Sequence, residues 1–334
     1  MKIISIIIVN HDGSRFLGRL FETIQEQTFQ DFEIIFVDNG SADDSVEFVE
    51  KNYLKTKIIV SKNVGYGSGC NLGAQKASGK YLVFLNEDMY LPPDFLERML
   101  TFRKNLLCQD KVGGISCKMV DFDRDPDGFP PMYGAKIDFM GFPVKNLEDS
   151  KTFVISGSPF FISNNLFKKA GGFNEMIFVY GEDVDLSWRL FLMGYKNFMV
   201  NETFIYHLGG AATGKLSAKK IADVIYGAFI SIYTNFRMPT FIFILPFFIA
   251  FIFVFYLALT FIKIRTGYLC EIFKKFGLFI ANVGKAREIR KFVKENRIKG
   301  DLAVLEYISF IPAFFLNNSL QKIGSNYDIT NNIK

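Results

Sequence analysis

The segment Lys80-Tyr81-Leu82-Val83-Phe84-Leu85-Asn86-Glu87-Asp88 joins an apolar run, rich in aromatic and branched side chains, directly to two adjacent carboxylates. Such a run is typical of a parallel strand covered on both faces, and open α/β sheets bind ligands just beyond the carboxyl ends of their strands. Carboxylate oxygens there suit Mg²⁺ or Mn²⁺, which often also contacts substrate phosphates. For two carboxylates alone, an acidic turn leading into Pro92 and Pro93 is the simpler interpretation.

Alternating strand and helix patterns surround this segment. The sequence predicts strands over residues 3–9, 32–37, 57–60 and 81–85, with helical patterns between most of them. This alternation implies right-handed crossovers and a mostly parallel sheet. Further strands are predicted over residues 112–118, 153–157, 160–162 and 203–206, and a glycine-rich loop is predicted over residues 65–69.

Polar side chains end the early strands, and parallel strands would bring them to one edge of the sheet: Asn10, Asp38, Asn63, Glu87 and Asp88. An aspartate at such an edge can accept hydrogen bonds from a ribose or a base, although Asp38 alone is better explained as a turn cap. The glycines from Gly65 to Gly73 would let the backbone approach a ligand and point amides at phosphate. Their spacing matches neither G-x-G-x-x-G nor a P-loop, which disfavours a dinucleotide dehydrogenase.

A second acidic cluster begins a helical pattern in Tyr180-Gly181-Glu182-Asp183-Val184-Asp185-Leu186. Glu182 and Asp183 fall in the first turn, where the helix dipole keeps a carboxylate ionised, the form that accepts a proton. Acids are favoured at helix starts without any catalytic role as well. Trp188 and Arg189 are expected to serve packing and ion pairing.

His207 directly follows the strand predicted over residues 203–206. A lone histidine at a strand end is more often structural than a metal ligand. Its closeness to the predicted metal crevice makes it a candidate ligand beside Asp88. His11 has no such support in the sequence.

Composition indicates a protein that contacts lipid and does not bind nucleic acid. Of the 334 residues, 49% are hydrophobic, and most of the net charge of +5 lies after residue 262. The four cysteines form no C-x-x-C pair, which disfavours a zinc site and a disulfide framework and fits a reducing cytoplasm.

Residues 240–262 form an uncharged apolar stretch that, as a helix, could cross a hydrocarbon core of roughly 30 Å. The basic segment after it belongs on the cytoplasmic side by the positive-inside rule. The N-terminal apolar run is too short for a signal peptide, so the first domain is also expected in the cytoplasm. A re-entrant helix followed by a basic amphipathic helix on anionic headgroups would reconcile the two expectations.

Taken jointly, these motifs resemble the family 2 glycosyltransferases with a GT-A fold, in particular the rhamnosyltransferase-like branch. The resemblance covers residues 1–236 and rests on the order and spacing of residues 5–10, 37–41, 63–66, 71–73, 85–88, 171–175 and 180–189. It implies an α/β GT-A catalytic domain with a mostly parallel sheet over residues 1–236. A transmembrane or re-entrant helix over residues 240–262 and a basic amphipathic, membrane-associated tail over residues 263–334 would follow.

The resemblance also implies roles for single residues. The nucleotide-sugar donor would be held by Asn10, Asp38, Asn63, Gly65, Asn71, Asn86 and Glu87. Asp88 resembles the last acid of the D-x-D-type motif that binds Mg²⁺ or Mn²⁺, Asn86 replaces the first acid, and His207 resembles a histidine that completes the metal shell. Asp183 resembles the catalytic base, and Glu182 an acceptor contact.

The implied activity is an inverting, metal-dependent transfer from a nucleoside-diphosphate sugar to a hydroxyl of a lipid-linked glycan or cell-surface polysaccharide. The enzyme would sit at the cell membrane with its catalytic domain facing the cytoplasm. A processive synthase is disfavoured because no Gln-x-x-Arg-Trp motif is evident. Transfer to a polyprenyl phosphate and a catalytically inactive membrane-anchored scaffold remain alternatives.

Overall fold

The computed structural model describes residues 2–106, 111–121, 134–145, 152–208, 217–258 and 265–309. The strands of this part are β1 (Ile4–Asn10), β2 (Phe32–Asn39), β3 (Lys57–Ser61), β4 (Tyr81–Asn86), β5 (Met89–Tyr90), β6 (Val112–Asp121), β7 (Ala135–Asp138), β8 (Pro143–Lys145), β9 (Phe160–Ser163), β10 (Lys196–His207) and β11 (Ile308–Ser309). The α-helices are α1 (Ser14–Gln25), α2 (Ser45–Asn52), α3 (Tyr66–Lys76), α4 (Phe95–Asn105), α5 (Asn164–Lys169), α6 (Glu182–Leu192), α7 (Ala218–Asn235), α8 (Met238–Ala258), α9 (Arg265–Ala281) and α10 (Val283–Asn296).

The main sheet has eight strands in the order β3-β2-β1-β4-β9-β6-β10-β5. The first four are parallel, which confirms the alternating α/β pattern of the N-terminal half. Strand β9 is antiparallel to both of its neighbours, and β5 is antiparallel to β10. Strands β6 and β10 are parallel to each other. The sheet is therefore mixed, with four parallel and three antiparallel strand pairs, and the expectation of a mostly parallel sheet is correct only in part. A buried apolar run looks the same in either direction, so its composition could not predict this reversal.

The predicted glycine-rich loop over residues 65–69 is instead the start of α3. Gly65, with a φ of +89°, precedes the helix, and the glycines that follow lie inside it. A Cβ on Gly69 would lie 2.8 Å from Val9 Cγ1, and one on Gly73 would lie 2.4 Å from Ile7 Cγ2. These glycines thus allow α3 to pack directly against β1. The close packing of α3 against β1, and not the formation of a turn, explains why this segment contains several glycines.

The strand predicted over residues 153–157 is also absent as a regular strand. Val154 forms a single bridge with Ala135, next to a three-stranded sheet of β11, β7 and β8. Residues 153–155 are nevertheless buried, so their apolar character reflects core packing. A buried segment without strand pairing therefore has the same apolar sequence pattern as a buried strand.

The helices after residue 236 share one hydrophobic core with α6. Trp188 and Phe236 belong to the same buried cluster as Tyr268 of α9 and Val293 of α10. Helix α10 is amphipathic and basic, as predicted for this segment, but its buried Ala286 and Val293 belong to this core. Its apolar side is therefore occupied by protein.

In the described ranges, we find no helix with both the length and the apolar character that a membrane crossing requires. The span predicted over residues 240–262 is thus not supported. Its last part, residues 259–262, lies outside the described residues.

Candidate active site

A cleft of about 580 Å³ opens at the carboxyl ends of β1, β2 and β4. Because β1, β2 and β4 are parallel neighbours, their ends meet at one edge of the sheet, and the start of α6 and the end of β10 complete the wall. Nine of the eleven residues predicted for the site line this cleft: Asn10, Asn63, Gly65, Asn86, Glu87, Asp88, Glu182, Asp183 and His207.

Asparagines from β1 and from the segment after β3 form one end of the cleft. Asn10 is fully buried; its Nδ2 donates to Ser41 Oγ at 3.0 Å, while its Oδ1 has no hydrogen-bond partner. Asn63 Oδ1 accepts from the backbone N–H of Gly65 at 3.2 Å and from Asn39 Nδ2 at 3.3 Å. Buried polar atoms are normally hydrogen-bonded. The Asn10 oxygen is therefore a candidate acceptor for a ligand N–H or O–H.

Asp38 and Asn71 are the two predicted donor-site residues that do not line the cleft. Asp38 is buried at the end of β2, where its Oδ2 accepts from the N–H of Ser41 at 3.3 Å and its Oδ1 has no partner. Asn71 donates to the carbonyl of Phe173 and accepts from its N–H, both at 2.9 Å. These paired bonds fix the segment around Phe173 on α3. Asn71 thus has a structural contact, and it does not line the cleft.

His11, for which the sequence offered no support, also lines the cleft. Its Nε2 lies 3.2 Å from Nδ2 of Asn63. The sequence did contain a signal, because His11 directly follows the end of β1, as His207 follows the strand predicted over residues 203–206. Lys219 and Lys220, at the start of α7, also line the cleft, and no sequence pattern marked them.

Asp88 and His207 form a pair with metal-ligand chemistry. The Asp88 carboxylate is buried, and its Oδ1 lies 3.3 Å from His207 Nε2. The antiparallel pairing of β5 with β10 produces this closeness, since it places His207 opposite Met89. Asn86, in the same wall, has a buried Oδ1 without a hydrogen-bond partner.

A carboxylate, an imidazole and an unpaired amide oxygen fit a divalent cation. No group of three or more His, Cys, Asp or Glu side chains with metal-binding geometry occurs among the residues that the structure describes. The protein would therefore supply a partial shell. Mg²⁺ and Mn²⁺ commonly complete such a shell with substrate phosphates and water.

Glu87, next to Asp88, is 8% exposed. Burial raises its pKa to about 7, and the negative charge of Asp88 adds to this effect. Gly13 makes room for it, since a Cβ there would lie 2.4 Å from Glu87 Cγ. The strand end therefore carries less negative charge at neutral pH than two ordinary carboxylates would.

Glu182 and Asp183, which also line the cleft, begin α6. Gly181, with a φ of +104°, makes the sharp entry into the helix. The Asp183 carboxylate accepts from the N–H groups of Val184 at 2.8 Å and Gly157 at 3.2 Å. Burial raises the pKa of both acids, and the charge of Asp183 raises that of Glu182 further. Together these effects raise the pKa of Glu182 to about 8, and its Oε2 is buried without a hydrogen-bond partner.

A buried ion pair anchors the helix that carries these acids. Arg189 donates to Asp185 one turn earlier, and also to the carbonyl of Ala170 at 2.7 Å. Asp185 Oδ1 further accepts from Thr234 Oγ1 and Asn235 Nδ2 of α7, each at 2.9 Å. The expectation that Arg189 serves ion pairing is confirmed. This network fixes α6, and with it Asp183, relative to α7.

Comparison with known proteins gives a family match over half of the chain: residues 5–171 match the family described as glycosyl transferase family 2. Chondroitin synthase of Escherichia coli is 33% identical over 110 residues, which are 32% of this chain and 16% of that protein. The N-acetylglucosaminyl-diphospho-decaprenol L-rhamnosyltransferase of Mycobacterium tuberculosis is 22% identical over 254 residues, 66% of this chain and 80% of that protein. The aligned regions cover less than two thirds of the chondroitin synthase and of several other curated glycosyltransferases.

Among solved structures, S. aureus TarS 1-349 in complex with UDP-GlcNAc matches with a TM-score of 0.55 and 17% identity. The match covers 96% of this chain and 92% of that one. At this identity the likeness concerns the fold alone. The fold is GT-A-like, with a mixed sheet and flanking helices.

Proposed function

We propose that this chain, which belongs to glycosyl transferase family 2, transfers a sugar from a nucleoside-diphosphate sugar to a hydroxyl group and inverts the anomeric carbon. One observation carries the proposal: the Asp88–His207 pair and the helix-start base Asp183 line a single cleft with Asn10 and Asn63. Glycosyl transfer needs positive charge at the leaving diphosphate and a base at the attacking hydroxyl. The cleft offers groups for both.

Asp88 and His207, together with the Asn86 oxygen, would hold Mg²⁺ or Mn²⁺. When bound, such an ion neutralises the charge that develops on the departing diphosphate. The unpaired Oδ1 of Asn10 and the asparagine pair around Asn63 would hold the nucleoside. The S. aureus TarS complexes with UDP and UDP-GlcNAc support a nucleotide-sugar donor for this fold.

Asp183 would accept the proton of the acceptor hydroxyl. At the same time the hydroxyl oxygen would bond to the anomeric carbon, and the bond from that carbon to the diphosphate would break. A single displacement from the opposite face inverts that carbon. The N–H groups of Val184 and Gly157 hold the carboxylate in place. Protonated Glu182 beside it would donate a hydrogen bond to the acceptor.

The proposed acceptor is a lipid-linked glycan or a cell-surface polysaccharide. The name of the M. tuberculosis relative, which specifies a lipid-diphosphate substrate, supports this class. A lipid-linked acceptor would place the reaction at the cell membrane, with the catalytic domain on the cytoplasmic side, where nucleotide sugars are available. Nucleic acid is not a proposed partner.

The test is calorimetric titration with UDP, GDP and dTDP, each with and without Mn²⁺, followed by a transfer assay with the matching nucleotide sugar. We expect one nucleotide to bind in a metal-dependent manner. Asn10→Ala should weaken that binding about tenfold, because one buried hydrogen bond is lost. Asn52→Ala at the exposed end of α2 is the matched control and should bind as the wild type does. Binding of none of the nucleotides would contradict the proposal and favour an inactive scaffold.

A further inference from the structure

Helix α8 is apolar on all sides, although the rest of the domain covers only one of them. Its inner side packs through the buried Phe241 and Phe248 against Phe229 of α7. From residue 241 to residue 254, the helix contains no charged or hydrogen-bonding side chain. Core packing explains the inner side only, so the outer side needs a separate explanation.

The outer side of α8 and the adjoining side of α9 expose large apolar groups. We call this surface the α8–α9 face and define it by Ile242, Phe243, Phe247, Phe253, Phe273 and Ile280. Each of these side chains is between 52% and 71% exposed. Soluble monomers rarely expose so many large apolar groups together, and such surfaces usually mark an interaction site.

The two helices share a packing partner in α7 and also contact each other. Phe276 and Phe279 of α9 contact the same Phe229 ring that α8 covers. The hydroxyl of Tyr268 in α9 also donates to the carbonyl of Ile252 in α8 at 3.5 Å. With their inner sides on one residue of α7, both helices face away from the domain with their remaining apolar groups.

We propose that the α8–α9 face lies in the plane of an anionic membrane surface and inserts its side chains among the lipid chains. A protein interface of this kind normally carries about one hydrogen bond per 100–200 Å², and residues 241–254 of α8 have no side chain to form one. Insertion among hydrocarbon chains requires no hydrogen bonds from these side chains. The inference rests on the proposed function in one respect: a lipid-linked acceptor gives the attachment its purpose.

The charge of the adjoining helices selects the lipid. Residues 265–299 contain ten lysines and arginines against three glutamates. Helix α10 presents Lys291 and Lys294 to solvent, while its buried Ala286 and Val293 pack on protein. It would therefore contribute attraction to anionic headgroups and no insertion.

The test is co-sedimentation of the full chain with phosphatidylcholine vesicles that contain or lack phosphatidylglycerol. We expect binding to the anionic vesicles that weakens with added salt. Phe243→Ser/Phe247→Ser should lower the partition coefficient by about tenfold or more, because two inserted aromatic side chains are lost. Leu54→Ser/Val60→Ser is the matched control, since these side chains are 86% and 66% exposed outside the face. It should bind as the wild type does.

Nucleotide binding, measured in the same variants, shows that they are folded. Failure of the wild type to bind either vesicle, or equal binding by both double variants, would overturn the inference. A wild-type dimer that only Phe243→Ser/Phe247→Ser dissociates, without vesicle binding, would instead assign the face to a second copy of the chain. Asp183→Asn separates the two proposals, because it should lower the rate of transfer about 10²–10⁴-fold and leave vesicle binding unchanged.

Discussion

The cleft contains the dipeptide Glu-Asp twice, once after strand β4 and once at the start of helix α6. In both pairs the glutamate is buried and its pKa is raised: Glu87 by burial and then by Asp88, Glu182 by burial and then by Asp183. The aspartates differ in their partners. Asp88 lies 3.3 Å from the imidazole of His207, whereas Asp183 accepts two backbone N–H groups.

The backbone element, and not the residue type, creates this difference. A strand end places its side chain opposite the end of another strand, and here that strand supplies His207. A helix start supplies N–H groups and a positive dipole end, which favour the ionised carboxylate. The strand pair is thereby suited to share a cation, and the helix pair is suited to accept a proton.

The largest expected effect is on the rate of sugar transfer, and it distinguishes the helix pair from the strand pair. Asp183→Asn removes the proposed base but keeps the size of the side chain, so we expect the rate of transfer to fall about 10²–10⁴-fold. Metal-dependent nucleotide binding, which we propose for the strand pair, should stay unchanged. The measurements are single-turnover transfer and calorimetry on the same preparation. Asp44→Asn, at the exposed start of α2, is the control and should be fully active. Normal transfer by Asp183→Asn would remove the helix pair from the mechanism.

The next effect concerns stability, because only the helix pair depends on a buried ion network. Arg189→Met leaves Asp185 buried without its cation, which should cost about 3–5 kcal/mol of unfolding free energy. Lys291→Met is the matched control, since Lys291 and Glu295 form an exposed pair with the same spacing. Its cost should stay below about 1 kcal/mol. Urea denaturation measures both values, and similar losses would show that the network around α6 is not the anchor.

A smaller effect is expected on the strand side. Asp88→Asn should weaken Mn²⁺-dependent nucleotide binding about 100-fold, and His207→Gln about tenfold, because each removes one proposed ligand of the cation. Without Mn²⁺, both variants should bind the nucleotide as weakly as the wild type does. Calorimetry with and without the metal tests this. Equal weakening in both conditions would show that the pair contacts the nucleotide directly.

Much of this cleft follows from local sequence. Runs such as the one that forms β1 contain enough branched apolar side chains to identify a buried strand, and polar residues mark where each strand ends. Glu182 and Asp183 were predicted at a helix start, and they occupy it. His207 was recognisable only because a strand pattern preceded it.

The remainder depends on tertiary packing that spacing cannot encode. The direction of β9 follows from its neighbours, and Asn71 faces the backbone of Phe173 because α3 lies close to that segment. The sequence predicted a membrane span for α8, because apolar composition alone does not show that Phe241 and Phe248 pack on α7. Phenylalanines such as Phe248 lie in the core on one side of the helix, and others such as Phe243 are exposed on the other side.

The smallest expected effect is the pH dependence that the raised pKa of Glu182 gives to stability. The folded chain binds this proton more tightly than the unfolded chain, whose pKa is near the ordinary 4.5. The stability that this proton contributes is therefore fully present below the unfolded pKa, and it is lost as pH rises toward the folded pKa. Glu182→Gln keeps the neutral form at every pH. Its Tm should exceed that of the wild type by a few degrees at about pH 8, and the two should agree at about pH 4.

Glu33, outside the cleft, provides a control of opposite sign. Burial acts to raise its pKa, but hydrogen bonds from Lys57, Ser5 and Ser78 outweigh burial and lower the pKa to about 2. Its contribution to stability is present above the unfolded pKa and is lost as pH falls toward the folded one. Glu33→Gln should thus lower the Tm at neutral pH, and its difference from the wild type should shrink in acid. If Glu182→Gln also lowered the Tm at about pH 8, the fold would favour the ionised carboxylate, and the pKa of Glu182 would not be raised.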